Sequence, residues 1–293
     1  MALRESDLVL AGGRTLHLWD SHPGEPGRLA VHWHHGSPGV GLPPTPLLDL
    51  ADSLGLRWVS HTRPGYPGSS AVPGRRVGDE AADVEAVLDV LGLDAVVPFG
   101  HSGGGAHALA VAAGLPALVP AAVSLAGLAP HTELGVRGFD WYAGFGPAGM
   151  AEMQAAARGR AHLEAHLASP EAAVEPDFTA ADVEALDGRW AWFLDAVRPA
   201  FEGEGDDAGG GGMPPGFLDD DLAHTTPWGF DPADITCPVL VVHGGRDAVV
   251  PPGHADWLAR EIPRATRWPR PDDGHVTVMD AAADALRWVA RLR

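Results

Sequence analysis

The chain has 293 residues, 45% of them apolar, with one cysteine and a formal charge of −19. That length and apolar content allow one large core with an inserted lobe; the single Cys237 denies an internal disulfide framework; and the acidic balance argues against nucleic acid, whose phosphates need clustered positive charge. All 20 basic residues are arginine, which excludes a lysine Schiff base, a Ser-x-x-Lys site and a P-loop lysine.

The opening MALRESDLVLAGG lacks the basic start and apolar block of a secretory signal. No apolar run approaches the roughly 20 residues that span a bilayer, so a soluble cytoplasmic protein with no membrane partner is expected. DLVL, the turn AGG and TLHLWD predict a hairpin, and LAVHWHH a third strand after the HPGEPG loop. PLLDLADSLG has helical spacing, LRWVSHT is strand-like, and DEAADVEAVLDVLG predicts an amphipathic helix with a glycine cap. The chain continues with AVVPFG, the glycine cluster GHSGGG, the helical HALAVAAG and the apolar AAVSLAG. This alternation predicts a mostly parallel sheet, taken as eight-stranded, with helices on both faces.

After Pro130 the pattern breaks. AGMAEMQAAARGRAHLEAHLAS and ADVEALDGRWAWFLDAVRPAF read as helical with no buried strand between them, so 131–230 is expected to be an inserted helical cap on a core of 1–130 and 231–293. EGEGDDAGGGGMPPGFLDDD is expected to be a mobile loop, because it offers little apolar surface against its ordering entropy. Its carboxylates, solvated near the cleft, would favour neutral over anionic substrates; a position far from the cleft is the alternative. Alternation resumes with PVLVVHGGRD, HADWLAREIP, ATRWPR and a closing helix over TVMDAAADALRWVARLR.

The chemistry concentrates at strand ends. Gly100-His101-Ser102-Gly103-Gly104 is a G-x-S-x-G stretch between a strand and a helix, the setting in which a sharp turn exposes a serine hydroxyl. A Gly-rich turn can also cradle phosphate at a helix N-terminus, but that use has a different glycine spacing or a lysine. Serine needs a base and an orienting acid. Asp247 follows the strand PVLVVHGG, and His275 lies in the loop after the last strand. Asp272 and Asp273 compete with Asp247 but read as solvated loop residues; His254 reads as a surface residue and His107 as core packing. The backbone N–H of Gly103, at a helix start, and that of Ser37 in HHGSPG could bind an oxyanion. A metal at His32, His34 and His35 is disfavoured for want of a carboxylate or cysteine beside them, and no cofactor is expected.

From HHGSPG through RPGYPGSS, GHSGGG and GGRDAVVP to DDGH, nearly the whole chain resembles the α/β-hydrolase fold family. The resemblance implies Ser102 as nucleophile, His275 as base, Asp247 as its partner, and Ser37 and Gly103 as the oxyanion hole. Epoxide hydrolases and haloalkane dehalogenases carry aspartate where Ser102 stands, and plant-type hydroxynitrile lyases use a cap lysine. Carbon–carbon bond hydrolases often have asparagine at the position of His101. Proline iminopeptidases resemble HGSPG and the acidic cap, but usually have tryptophan where Gly103 stands. The resulting expectation is an esterase acting through an acyl-serine on a neutral, apolar small molecule, with Trp141 and Tyr142 lining its pocket. An aminopeptidase of the proline iminopeptidase kind, and a non-catalytic receptor for a small apolar ligand, stand as alternatives.

Overall fold

A computed structural model describes residues 3–25, 27–131, 139–170, 175–202 and 213–292. The hairpin forms from β1 (Arg4–Val9) and β2 (Thr15–Asp20), and β3 (Leu29–His34), α1 (Leu48–Ser53), β4 (Leu56–His61) and α2 (Glu80–Leu91) follow. Then come β5 (Val96–His101), α3 (Gly103–Gly114) and β6 (Ala122–Leu125). After an intervening helical stretch, β7 (Val239–Gly244), α9 (Gly253–Glu261), β8 (Ala265–Arg270) and α10 (Ala282–Ala290) complete the chain. The strands make one eight-stranded sheet in the order β1-β2-β4-β3-β5-β6-β7-β8. β2 pairs antiparallel with β1 and β4, and every pairing from β4 to β8 is parallel.

Burial explains the sequence of each layer. β4, β5, β6 and β7 are buried along their whole lengths, as strands covered by helices on both faces must be. β1, exposed and carrying Arg4, Glu5 and Asp7, forms one edge, where charge discourages further strand pairing. Three buried histidines of β3 and β4 bond to one another. His34 Nδ1 bonds Glu80 of α2 at 3.0 Å, His32 Nδ1 bonds His34 Nε2 at 3.1 Å, and His61 Nδ1 bonds His32 Nε2 at 3.2 Å. The imidazoles of His32 and His34 are thus committed to a hydrogen-bonded chain ending on Glu80, a carboxylate supplied 46 residues downstream of His34.

Between β6 and β7 the described residues form α4 (Pro147–Ala157), α5 (Arg160–Leu167), α6 (Ala180–Leu186), α7 (Trp192–Phe201) and α8 (Pro215–Thr225). Each of the two long helical runs expected from the sequence is therefore split. The first breaks at Gly159, whose φ of 100° leaves the helical region. α8 corrects the reading of 202–221 as a loop: residues 203–212 lie outside the described residues, but Asp219, Asp220 and Asp221 sit buried within a helix. The inserted helices also share the core of the sheet. Trp190, Trp192 and Ala196 pack into the same cluster as Trp33, Trp58 and Phe99, and the rings of Trp192 and Trp33 lie 5.7 Å apart edge to face. No helix among the described residues is long and apolar enough to cross a membrane.

Candidate active site

Ser102 stands between β5 and α3 with φ 57° and ψ −129°, a conformation that L-residues rarely adopt. It persists because the turn is packed to backbone contact: a Cβ on Gly100 would run into the Gly104 carbonyl, and one on Gly104 into the carbonyls of His34 and His35. The glycines thus let the first turn of α3 sit directly on the loop that follows β3. Gly36 lies in that loop, where an added Cβ would be 3.5 Å from the Ser102 Cβ.

His275 brings its Nε2 to 3.0 Å from Ser102 Oγ, and its Nδ1 to 2.8 Å from Asp247 Oδ2. With Asp247 ionised, His275 Nδ1–H donates to it, leaving Nε2 to accept the serine proton. Asp247 Oδ1 accepts from the backbone N–H groups of Val249 and Val250 at 3.0 and 2.9 Å. Burial pushes this carboxyl up, but His275 and the bonds from His243 and His275 outweigh burial and hold it below the usual carboxylate range. The three side chains come from the ends of β5, β7 and β8, which are neighbours or near neighbours in the sheet. Asp272 and Asp273 are turned elsewhere, toward Arg246 at 2.9 Å and Arg270 at 2.7 Å.

The surrounding histidines have other duties. His101 is buried and donates from Nε2 to the His275 carbonyl at 2.8 Å. Burial and the neighbouring His275 push its pKa down to about 3, so it adds no charge beside Ser102. His107 donates to the Gly103 carbonyl at 2.9 Å from inside α3, the packing role expected for it. His254, expected at the surface, is buried: its Nδ1 accepts from the Ala129 N–H at 3.0 Å, and burial pushes it down to about 3. The helix start HADW gave no sign of this, because the partner is a backbone group 125 residues away.

Two carboxylates, Asp220, expected from the sequence as a solvated charge, and Asp182, not marked out by it, reach the loops on either side of Ser102. Asp220 of α8 is wholly buried and accepts from Ser37 Oγ at 2.5 Å, Arg63 Nη2 at 2.7 Å and Tyr66 Oη at 2.8 Å, with Arg75 on its other oxygen. Arg63 also donates to the carbonyls of His35 at 2.5 Å and Gly36 at 3.1 Å. Burial pushes Asp220 up; Arg63 and Arg75 overcome it and hold the carboxyl well below the ordinary range. Asp182 of α6, also buried, accepts from the backbone N–H groups of His275, Val276 and Thr277 at 3.2, 3.0 and 2.8 Å. It also closes a capping box on its own helix with Thr179. That cap is local to TAAD; the second use is not.

Phe178 stacks 6.4 Å from the His275 ring, and Phe193 lies 5.2 Å from the His101 ring. Trp141 is buried elsewhere, its indole N–H donating to the Ala129 carbonyl at 2.8 Å and its ring packed on Phe145 and His254. Tyr142 is half-buried, with its hydroxyl 3.0 Å from His131 Nε2.

A family profile described as alpha/beta hydrolase fold matches residues 30–282. Among solved structures, a thermophilic esterase from Thermogutta terrifontis is 20% identical, with a TM-score of 0.64 and 99% of each chain covered. An enol-lactonase from Burkholderia xenovorans LB400 is 18% identical over 98% of this chain and 99% of its own, with a TM-score of 0.67. A bromoperoxidase from Bacillus anthracis is 19% identical over 99% of this chain and 98% of its own, also at 0.67. The comparison with curated proteins gives no match.

Proposed function

This chain belongs to the α/β-hydrolase fold family, and on that premise we propose that it is a serine hydrolase that cleaves an ester of a neutral, apolar small molecule through an acyl-serine intermediate. The observation that carries the reading is the unbroken hydrogen-bonded run from Ser102 through His275 to the buried Asp247. In the proposed reaction His275 Nε2 takes the Ser102 proton as Oγ attacks the acyl carbon, and Asp247 stabilises the resulting imidazolium. The N–H groups of Ser37 and Gly103 receive the oxyanion, His275 protonates the departing alcohol, and water attacking by the same route in reverse frees Ser102. The names of two similar structures, an esterase and an enol-lactonase, support an ester over an amide.

The insertion 131–230 is read as a cap over this site. Phe178 and Phe193, beside the two histidines, are the better candidates for its apolar lining; Tyr142 retains some accessible surface, whereas the burial of Trp141 fits packing. Aminopeptidase action is a second reading with one observation in its favour. Burial pushes Glu152 of α4 up to about 7, and burial together with Glu152 raises Asp221 of α8, so two interacting carboxyls lie within the insertion, and an ammonium group beside them would favour their ionised forms. Turnover of neutral esters graded in acyl length, run beside prolyl amides, tests both: ester hydrolysis with no amide cleavage is expected, and the reverse would replace the first reading by the second.

A further inference from the structure

We propose that Asp182 and Asp220, both from the inserted helices, are positioning residues of the hydrolytic site: Asp220 sets the loop carrying the Ser37 oxyanion donor, and Asp182 sets the loop carrying His275. The proposal rests on the reading of Ser102, His275 and Ser37 given above.

In the loop His35–Ser37, the His35 ring donates to the Gly36 carbonyl at 2.7 Å and accepts from the Arg63 backbone N–H at 3.0 Å, and the Arg63 side chain and Asp220 fasten the rest. Its carbonyls at His35 and Gly36 point to the Arg63 guanidinium, and the Ser37 hydroxyl to Asp220 and, at 3.1 Å, to Arg63. Arg63 could not stand buried in that place alone. Asp220 neutralises it through two bonds, 3.2 Å from Nε and 2.7 Å from Nη2, the planar pairing that fixes a guanidinium in orientation as well as position. The chain of constraint therefore runs from α8 through Arg63 to the backbone whose N–H must meet an oxyanion. Hydrogen bonds of this kind act on the transition state only when their donors are set before the charge develops.

On the other side, the three successive N–H groups of His275, Val276 and Thr277 begin the short helical turn Thr277–Ala281. A helix start leaves such donors without intrahelical partners. Asp182 caps them from a different element, with Oδ1 also accepting the Thr277 hydroxyl at 2.9 Å. His101 holds the carbonyl of the same His275. The imidazole is thereby fixed at its backbone from both ends, and a displacement of about 1 Å at such a group costs up to 100-fold in rate. The insertion in this account is part of the catalytic frame, with its helices joined to the machinery by buried ion pairs and caps.

The test is steady-state kinetics per active site, with sites counted by fluorophosphonate titration, for Asp220→Asn, Asp182→Ala and Asp182→Asn beside wild type. Asp220→Asn and Asp182→Ala are expected to lower kcat per titrated site roughly 10- to 100-fold with KM within about threefold. Asp182→Asn keeps one acceptor oxygen and should recover part of the loss. A purely structural role would reduce the number of titratable sites and leave kcat per site unchanged, which overturns the proposal. Asp219→Asn, on the same helix but paired outward with Arg160, should leave kcat per site unchanged. If Asp220→Asn fails to fold, Ser37→Ala removes one bond to Asp220 without stranding a charge and is expected to lower kcat per site by roughly 3- to 10-fold; an unchanged value again overturns the proposal. Ser102→Ala separates the two levels: a variant that keeps turning over defeats the underlying reading, whereas a dead Ser102→Ala beside undiminished Asp182→Ala and Asp220→Asn defeats only the positioning role.

Discussion

The turn at residues 99–106 and helix α8 lie against each other in space and differ in how their sequences relate to their structures. The turn answers to a local demand. Its backbone must bend at Ser102 and approach its own chain and the β3 loop within van der Waals distance, and only glycine at 100 and 104 permits that. α8 answers to distant demands. Asp219 and Asp220 are tolerable inside the protein because Arg63, Arg75 and Arg160, spread along the chain, bond to them, whereas burial and the neighbouring Glu152 and Asp220 raise Asp221 toward its neutral form. A local constraint leaves a motif, and a non-local one leaves residues that look solvated.

The sharpest way to test the turn is to remove what it presents. Ser102→Ala and His275→Ala should each lower kcat by roughly four to six orders of magnitude with the fold intact, and Asp247→Asn somewhat less because the oxyanion donors survive. A Ser102→Ala enzyme retaining a tenth of wild-type rate contradicts the assignment; near-normal Asp247→Asn would point to Asp272 or Asp273.

The non-local packing carries a pH signature. Burial pushes His101 and His254 down to about 3 and His224 to about 4, from the ordinary 6.5. Between those values the unfolded chain binds protons that the folded chain refuses, so stability is full above about pH 6.5 and falls as pH drops toward 4. Each of the three contributes up to about 1.4 kcal/mol per pH unit in that window. Urea unfolding at pH 7, 6 and 5 measures it. A flat profile would mean that the histidines are open to solvent.

Whether the insertion is a detachable lid or part of the core is decided by Trp192, buried against Trp33 and Phe193. Trp192→Ala should destabilise the whole chain by about 3–5 kcal/mol in a single cooperative transition. A separate early transition, with the sheet unaffected, would show the insertion to unfold by itself. At the turn itself, Gly104→Ala would drive a Cβ into the His34 carbonyl oxygen, a clash with backbone that should cost at least the upper part of the roughly 1–3 kcal/mol of overpacked sites and lower activity with it. Unchanged stability and activity there would remove the physical reason given for the glycine cluster.

Much of the fold was legible because burial on two faces writes apolar runs such as VVPF and VLVV into the central strands. The candidate residues Ser102, Asp247 and His275 were legible because each ends a strand. What escaped was whatever depends on which residues meet across the chain. The capping box of Thr179 and Asp182 is local, and nothing near it announces that the aspartate also binds the backbone at His275, 93 residues on. GFLDDD reads as exposed, because the arginines that bury it lie beyond any window of local pattern. The aromatic residues of the insertion were placed by proximity in sequence to the sheet edge, which favoured Trp141 and Tyr142; that pattern gave no sign that Phe178 and Phe193 stand beside the rings of His275 and His101.

The central claim is that Ser102 forms the covalent acyl intermediate. Intact-mass and peptide analysis after reaction with a fluorophosphonate, and separately after rapid quenching with a slowly deacylating ester, tests it most directly. The account predicts one adduct per chain, on the peptide containing Ser102, abolished in Ser102→Ala and slowed in His275→Ala. An adduct that persists in Ser102→Ala, or ester turnover by a wild-type chain whose Ser102 stays unmodified throughout, would contradict it.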